Sequence, residues 1–390
     1  MIGIARIISQ LVHRFSPKWN HAVIWGWPDY EDSVIALERA LQESHVGRVV
    51  LLMTDPGAPS QWELGSKTIR VRKNSVIGWC WFCSARYVFF THPCFTRDFP
   101  PDVVSVNVWH GMPIKKIGWM LEGDAGISSR HALATSPFWA EIMERAMRPH
   151  GSVLPIGLPR NDRLFSNRGQ VLEKLGLPAG RRLLAWLPTY RKSVRGLPRT
   201  DGIEAGNVFE MPDVDPEALN SFLESRNAVL LVKPHPMAEF EASEAWSNLL
   251  IVDDAWLRER RLSLYEFLGA TDLLISDISS VVIDYLLLDR PVIHAFTDLG
   301  EYESSRGFTV EPIQDYFAGP VVTNCKELRD ALDAVFSGND PEAAKRRAML
   351  ELSHSHRDGG ATRRLLEAVG LTGLTSGSCP SRSVPLRTLR

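Results

Sequence analysis

The chain has 390 residues, of which 44% are hydrophobic and 23% are charged, and its formal net charge is -2 at pH 7. This composition is typical of a water-soluble globular protein, and the length predicts two domains. The charge excludes a nucleic-acid binder that works through a strongly basic domain, so we expect no nucleic-acid partner.

The first 18 residues predict an amphipathic helix. Its apolar residues recur at helical spacing and are Ile4, Ile7, Ile8, Leu11, Val12 and Phe15. Two interpretations stay open: a helix packed on its own domain, or an interfacial helix held to anionic lipid by apolar area and basic charge. The segment lacks the features of a secretory signal, and the apolar stretch 76–90 is shorter than a bilayer span, so no transmembrane helix is predicted.

Five cysteines are an odd number and sparse for this length, which disfavours a disulfide framework and favours a reducing cytoplasm. Cys80, Cys83, His92 and Cys94 have the residue types of a zinc site. Large apolar side chains surround the cysteine pair, so small buried cysteines are the favoured interpretation and no metal site is predicted.

Short apolar runs alternate with helical patterns from residue 19 to residue 168, which predicts βαβ units and a parallel sheet. The predicted strands lie at 21–27, 47–53, 68–72, 86–90 and 104–110, and HALATSPFWAEIMERAM continues as a strand followed by a helix. Proline and glycine gather at 150–180, so we place a domain boundary near Arg168.

The same alternation resumes over 169–372 and predicts a second Rossmann-like domain. Its predicted strands are RRLLAWLP, NAVLLVKP, NLLIVDD, DLLISD and PVIHAF, and its helices include EALNSFLES, LSLYEFLGA and SSVVIDYLLLD. The basic tail 373–390 has the composition of a disordered segment.

In open parallel sheets, ligands bind beyond the carboxyl ends of the strands. His110 closes one predicted strand, Gly111 allows close backbone approach, and Lys115 adds positive charge nearby. An imidazole beside ammonium groups suits proton removal next to an anionic substrate. A single histidine at a strand end is more often a structural residue, so this position alone does not establish a catalytic role.

In the second domain, Asp277 ends a strand, and Ser279 and Ser280 stand where a helix begins. The free backbone amides of a helix start form an anion site, although the same residues also make an ordinary N-cap cluster. Asp284 either orients this loop or faces solvent.

Two further strands of this domain deliver polar residues to the same edge. LLVKPHP brings Lys233 and His235, which could hold a diphosphate or form a rigid turn with a surface cation. WLPTYR brings Thr189 and Arg191, and arginine suits a phosphate fork. The acids of the Asp-Val-Asp run at 213–215 open a predicted helix, where they need no metal.

Seven motifs occur in a fixed order over about residues 20–370: WHGMPIKKIG, GLPRND, LPTYR, LLVKPHP, SDISSVVIDYLLLDRPVI, EYESSRGF and HRDGGAT. In this order the sequence resembles the CDP-glycerol glycerophosphotransferases of teichoic-acid and capsule synthesis. The resemblance implies a GT-B architecture, in which two Rossmann-like domains face each other across a cleft and the C-terminal domain holds the nucleotide.

The resemblance also implies roles for single residues. His110 falls on the family's general base, His235 on a diphosphate contact, and Arg160 on the family's Pro-Arg-Asn-Asp segment near the cleft. Met112 stands where the family's first motif usually has threonine, so a hydroxyl is missing beside His110.

The implied function is transfer of a polyol phosphate, glycerol phosphate first, from a CDP-activated donor to a hydroxyl of a glycan or lipid-linked acceptor, with release of CMP. No cofactor beyond this substrate is expected, and the protein would be peripheral on the inner face of the cell membrane. The alternatives are a sugar-nucleotide-dependent GT-B glycosyltransferase and a non-catalytic, membrane-recruited scaffold.

Overall fold

The structure is a computed structural model. It describes residues 11–372 except 59, 61, 97, 122–125, 127, 190–206, 235–245, 297–298 and 301–306. Within these ranges the strands form two parallel sheets with helices packed on them. The predicted α/β class with two parallel sheets is confirmed.

The first sheet, called the front sheet below, has the strand order β3-β2-β1-β4-β5-β6-β7 in the described part of the chain. Its strands are β1 Trp19–Trp25, β2 Arg48–Met53, β3 Thr68–Arg72, β4 Ala85–Phe90, β5 Val104–Asn107, β6 His131–Leu133 and β7 Ser152–Leu154. Its helices are α1 Asp32–Gln42, α2 Val76–Cys83 and α3 Pro137–Met147. The predicted strands and helices of this half are confirmed, with β5 ending three residues before His110.

The second sheet, called the rear sheet, has the order β10-β9-β8-β11-β12-β13 in the described ranges. Its strands are β8 Arg182–Leu187, β9 Ala228–Val232, β10 Leu249–Ile251, β11 Leu273–Ser276, β12 Val292–Ala295 and β13 Val321–Val322. The helices that follow α3 are α4 Arg168–Lys174, α5 Pro216–Ser225, α6 Asp254–Glu259, α7 Leu264–Ala270, α8 Ser280–Tyr285, α9 Cys325–Phe336, α10 Ala343–Ser353 and α11 Ala361–Ala368. Short 3-10 turns cover Gly118–Met120, Pro159–Phe165, Leu286–Leu288 and Ile313–Tyr316.

Both sheets are covered on both faces, which explains why their strands read as continuous apolar runs. Each sheet with the helices packed on it is called a half of the molecule, front or rear. In β1, Ala22 and Ile24 belong to a hydrophobic core that the two halves share. Val23 and Trp25 belong to a separate core of the front half. The strand β8 alternates in the same way between the shared core and a core of the rear half. The shared core therefore joins the two halves by apolar packing.

The turn Pro159–Phe165 also ties the halves together. Arg163 forms ion pairs with Asp32 of α1 at 3.0 Å and with Glu266 of α7 at 2.7 Å. Asp162 accepts hydrogen bonds from the first amides of α11, so the last described helix packs back on this turn. The predicted boundary near Arg168 coincides with the start of α4, and the domain bounds stay a prediction.

Residues 11–15 of the predicted N-terminal helix are helical. Residues 1–10 and the predicted tail 373–390 lie outside the described residues. Among the helices that the structure describes, none combines the length and hydropathy that a membrane span requires. The cysteines in the described ranges are not disulfide-bonded.

Candidate functional site

Each sheet has a point where the strand order reverses direction. In the front sheet it lies between β1 and β4, and in the rear sheet between β8 and β11. Open α/β sheets bind ligands beyond the carboxyl ends of the strands at such a point. The loops after β1, β4 and β5 are called the front crevice below, and the loops after β8, β9 and β11 the rear crevice. The candidate residues are described below by the loop that carries them.

His110 lies in the loop after β5, three residues beyond the strand. Asn107 accepts a hydrogen bond from the Trp109 amide at 3.1 Å, and Trp109 takes a left-handed φ of 56°, so the strand turns before His110. The His110 ring bonds through Nδ1 to the backbone oxygen of Thr91 at 3.0 Å. Because a carbonyl only accepts, Nδ1 carries the proton and Nε2 holds the lone pair of the neutral ring.

His92 lies beside His110, although the sequence indicated it only as a doubtful zinc ligand. The two rings are stacked with centroids 4.3 Å apart and planes 10° apart. Burial holds the pKa of His92 well below its ordinary value, and His110 lowers it further. The rule that ligands bind beyond the carboxyl ends of strands indicated His110. It could also have indicated His92, because His92 follows the end of β4.

Gly111 brings the His110 loop against the rear half. Its φ is 126°, and a Cβ at this position would lie 2.4 Å from Ser280 Oγ and 2.5 Å from a guanidinium nitrogen of Arg160. No side chain fits that space, so the glycine permits direct contact between the His110 loop and the start of α8.

The residues after Gly111 make a second contact with the rear half. The Lys116 amide donates to Gly307 at 3.2 Å, the Thr309 amide donates to Ile114 at 2.9 Å, and Lys115 bridges to Phe308. Met112 is fully buried in the shared core. The residue that replaces the family's threonine therefore serves packing here.

In the rear crevice, Asp277 holds the loops after β8 and β11 together. It is 1% exposed, and its carboxylate accepts from both the amide and the hydroxyl of Thr189. Ser279 is the N-cap of α8 and accepts from the Val281 amide at 3.4 Å. The capping interpretation of Ser279 is confirmed, and Ser280 follows as the first residue of the helix.

Asp284 is completely buried and accepts hydrogen bonds from Arg160 and from the Tyr265 hydroxyl, the latter at 2.6 Å. The interpretation that Asp284 faces solvent is wrong, because Arg160 comes from the turn between the halves and needs a buried counter-charge. Burial opposes the charge of Arg160, but Asp284 raises the pKa of this guanidinium above its ordinary value.

Lys233 is 5% exposed, and its ammonium forms an ion pair with Asp254 of α6 at 2.9 Å. The interpretation of Lys233 as a surface cation is wrong, since β9 ends inside the protein. His235 and Arg191 lie outside the described residues. In the Asp-Val-Asp run, Asp215 caps α5, as expected for an acid at a helix start.

Glu31 was not predicted as a site residue; it lies at the end of the loop between β1 and α1. Its side chain caps α1 by accepting from the Ser33 amide at 3.1 Å. Burial raises the pKa of this carboxyl to about 7, against the opposing effects of Ser33 and Arg160. Its place in the predicted helical pattern hid the fact that it stands at the front crevice.

The geometry thus brings the His110 loop, Arg160 and the start of α8 into contact at the meeting of the two halves. A family model described as CDP-glycerol:poly(glycerophosphate) glycerophosphotransferase matches residues 10–371.

Two curated relatives come from Staphylococcus aureus. The teichoic acid ribitol-phosphate polymerase TarK is 28% identical over 307 residues, which are 73% of this chain and 56% of TarK. The teichoic acid glycerol-phosphate transferase is 26% identical over 293 residues, covering 69% of this chain and 72% of the relative. The chain spans about half the length of the ribitol-phosphate polymerases that it matches.

Among solved structures, the wall teichoic acid polymerase TagF is similar with a TM-score of 0.72 at 19% identity, covering 94% of this chain and 92% of that chain. A TagF variant soaked with CDPG also gives a TM-score of 0.72, at 18% identity. These likenesses show the same fold. Since the family model spans nearly all of the sequence, the chain belongs to the CDP-glycerol:poly(glycerophosphate) glycerophosphotransferase family.

Proposed function

We propose that the protein transfers a polyol phosphate, glycerol phosphate first, from a CDP-activated donor to a hydroxyl of a glycan or lipid-linked acceptor, and releases CMP. The observation that carries this proposal is the contact of Gly111, next to His110, with Ser280 and Arg160. It supports a GT-B arrangement, in which the front half presents the acceptor and the rear half holds the nucleotide. Family membership supports the donor class.

In this reaction Nε2 of His110 removes the proton of the acceptor hydroxyl. The acceptor oxygen then attacks the distal phosphorus of the donor, a new P–O bond forms, and the bond from that phosphorus to the oxygen of CMP breaks. The transferred proton stays on the imidazole until solvent removes it. This step needs positioning and charge stabilisation rather than a covalent intermediate.

The rear half would stabilise the negative charge of the diphosphate. The first amides of α8, beside Ser279 and Ser280, suit an anion, and Asp277 fixes the neighbouring Thr189 loop. Lys233 already forms an ion pair with Asp254, so only part of its positive charge is available to a phosphate. We therefore assign the remaining phosphate contacts to His235 and Arg191.

The test is CMP release from CDP-glycerol in the presence of a synthetic lipid-linked glycerol-phosphate acceptor. We expect His110→Ala to abolish turnover while the circular dichroism spectrum stays unchanged, because the base is lost and the fold is not. Unchanged turnover would remove the general-base role.

Donor class can be tested separately with a thermal-shift panel of CDP-glycerol, CDP-ribitol and sugar nucleotides, because a ligand that binds only the folded state raises the apparent melting temperature. Stabilisation by a sugar nucleotide alone would favour an ordinary glycosyltransferase. Stabilisation by CDP-glycerol without any product would favour a scaffold.

Contact with the cytoplasmic face of a membrane is part of the same proposal. Leu11 and Phe15 are exposed, and so are Val76 and Ile77 at the start of α2. The His13 ring contacts Phe82 of α2 at a tilt, with centroids 5.1 Å apart, so these two apolar segments pack against each other. Exposed apolar side chains near basic residues suit an anionic lipid surface.

Co-sedimentation with phosphatidylglycerol-rich liposomes tests this contact. We expect deletion of residues 1–18, or the double substitution Val76→Ser and Ile77→Ser, to reduce the pelleted fraction, because each removes apolar area. Equal pelleting of both variants and the parent would contradict membrane binding through this surface.

A further inference from the structure

Four aromatic rings form a continuous cluster at the front crevice, and within it His92 is stacked on His110. Trp27 follows β1, His92 follows β4, and Trp109 and His110 follow β5. The Trp27 ring meets His92 edge-on at 5.5 Å, and Trp109 lies 4.1 Å from His110 with the planes 31° apart. His110 is thus in contact with an aromatic ring from its own loop and with His92 from the loop after β4.

Thr91 connects the two histidines by hydrogen bonds. Its backbone oxygen accepts from Nδ1 of His110 at 3.0 Å, and its hydroxyl lies 3.0 Å from Nδ1 of His92. The neighbouring residues Thr91 and His92 therefore hold the His110 ring by a hydrogen bond in its plane and by a stack on its face. These contacts fix both its tautomer and its plane.

The surroundings of His92 are positively charged. Burial is the largest effect that lowers the pKa of His92, and His110, Lys73 and Arg160 lower it further. Lys73 is paired with Asp29 at 2.7 Å, and Arg160 is paired with Asp284. A neutral ring at position 92 packs on His110 without adding a cation next to the base.

We propose that His92 is a positioning residue for His110: its ring, stacked on the imidazole, holds Nε2 in the orientation that removes the acceptor proton. The proposal rests on the proposed function, because it takes His110 as the base. A small misplacement of a base lowers the rate roughly 10- to 100-fold. The loss belongs in kcat, since the nucleotide is assigned to the rear half.

Two substitutions separate the stacking of His92 on His110 from the hydrogen bond between His92 and the Thr91 hydroxyl. His92→Phe keeps an aromatic ring and loses the bond to Thr91, whereas His92→Asn keeps a polar group and loses the ring. We expect His92→Phe to retain most of kcat and His92→Asn to lose it roughly 10- to 100-fold, with the KM for CDP-glycerol unchanged in both. His45→Asn is the matched control, because His45 is exposed and lies against Tyr87 instead.

The kinetic outcomes are distinguishable. If His110→Ala is inactive and His92→Asn keeps the parent's kcat, the positioning role is overturned and the proposed function stands. If His92→Asn is the more active of the two variants, stacking is not the cause and the proposal is overturned. If His110→Ala is as active as the parent, the proposed function fails and His92 has no base to position.

A measurement on the unchanged protein needs no variant to fold. We expect the ¹⁵N spectrum of its histidines above pH 7 to show His110 protonated at Nδ1 and unprotonated at Nε2. In His92→Asn we expect a mixture of tautomers. A protein in which His110 is already a mixture, or carries the proton at Nε2, would overturn the proposal.

Discussion

The two crevices are built by different physical means. In the front crevice, His110 is held by a backbone oxygen, by the stacked ring of His92 and by the tilted ring of Trp109. In the rear crevice and the adjoining turn, buried charged groups hold one another, as in the pair of Arg160 with Asp284. The His110 ring is thus fixed by uncharged groups, whereas the residues at the start of α8 are fixed by paired charges.

This difference predicts that the charged contacts carry more of the folding stability than the aromatic ones. The largest effect is expected for Asp284→Ala, which leaves Arg160 buried without its counter-charge. We expect the free energy of unfolding, measured with urea, to fall by about 3–5 kcal/mol. The control is Asp330→Ala in the exposed pair of Lys326 and Asp330, which should change little. A loss at Asp284 no larger than the control would contradict the comparison.

His294 should make the rear half lose stability in acid. His294 is buried, bonds through Nδ1 to the Asp277 carbonyl, and accepts from the Ala318 amide at 3.0 Å through Nε2. Its neutral form is thus fixed, and burial lowers its pKa to about 4. Because the folded pKa lies below the unfolded value of 6.5, stability is complete above pH 6.5 and is lost as the pH falls toward 4.

The loss attributable to His294 at the acid end of that window is about 3 kcal/mol, since each pKa unit corresponds to about 1.4 kcal/mol. Urea unfolding at several pH values measures it. His294→Asn, which does not titrate, should flatten the slope, and His150→Asn at an exposed site should not. An identical slope in His294→Asn and the parent would show that another group is responsible.

The contact between the crevices gives a smaller expected effect on stability and a sharper one on activity. Gly111→Ala places a Cβ against Ser280 and Arg160 at a left-handed φ, so we expect a loss of about 1–3 kcal/mol and reduced CMP release. Gly180→Ala is the matched control, because no atom lies within 4 Å of an added Cβ there. Full activity in Gly111→Ala would mean that the two halves need not approach at this point.

Much of the fold follows from local sequence. Strands such as β1 and β8 are covered on both faces, so they appear as uninterrupted apolar runs between helical patterns. The edge strands β7 and β13 were not predicted, because they have three and two residues and pair on one side within the described sheets. Too few residues alternate there to give a period.

The site was predictable only in part. The strand-end rule located His110, Asp277 and the start of α8, because each follows an apolar run directly. The partner of Asp284 lies 124 residues away in the chain, so neither its burial nor the pairing could be read from local sequence. The same rule could have located His92 after β4, but its contact with the His110 ring follows only from the fold.

The most direct test of the central claim is a crystal structure of His110→Asn soaked with CDP-glycerol. We expect the distal phosphate to lie between position 110 and the first amides of α8, with phosphate oxygens roughly 3 Å from those amides. A nucleotide bound elsewhere, or one whose glycerol phosphate points away from position 110, would contradict the claim that both crevices act on one diphosphate.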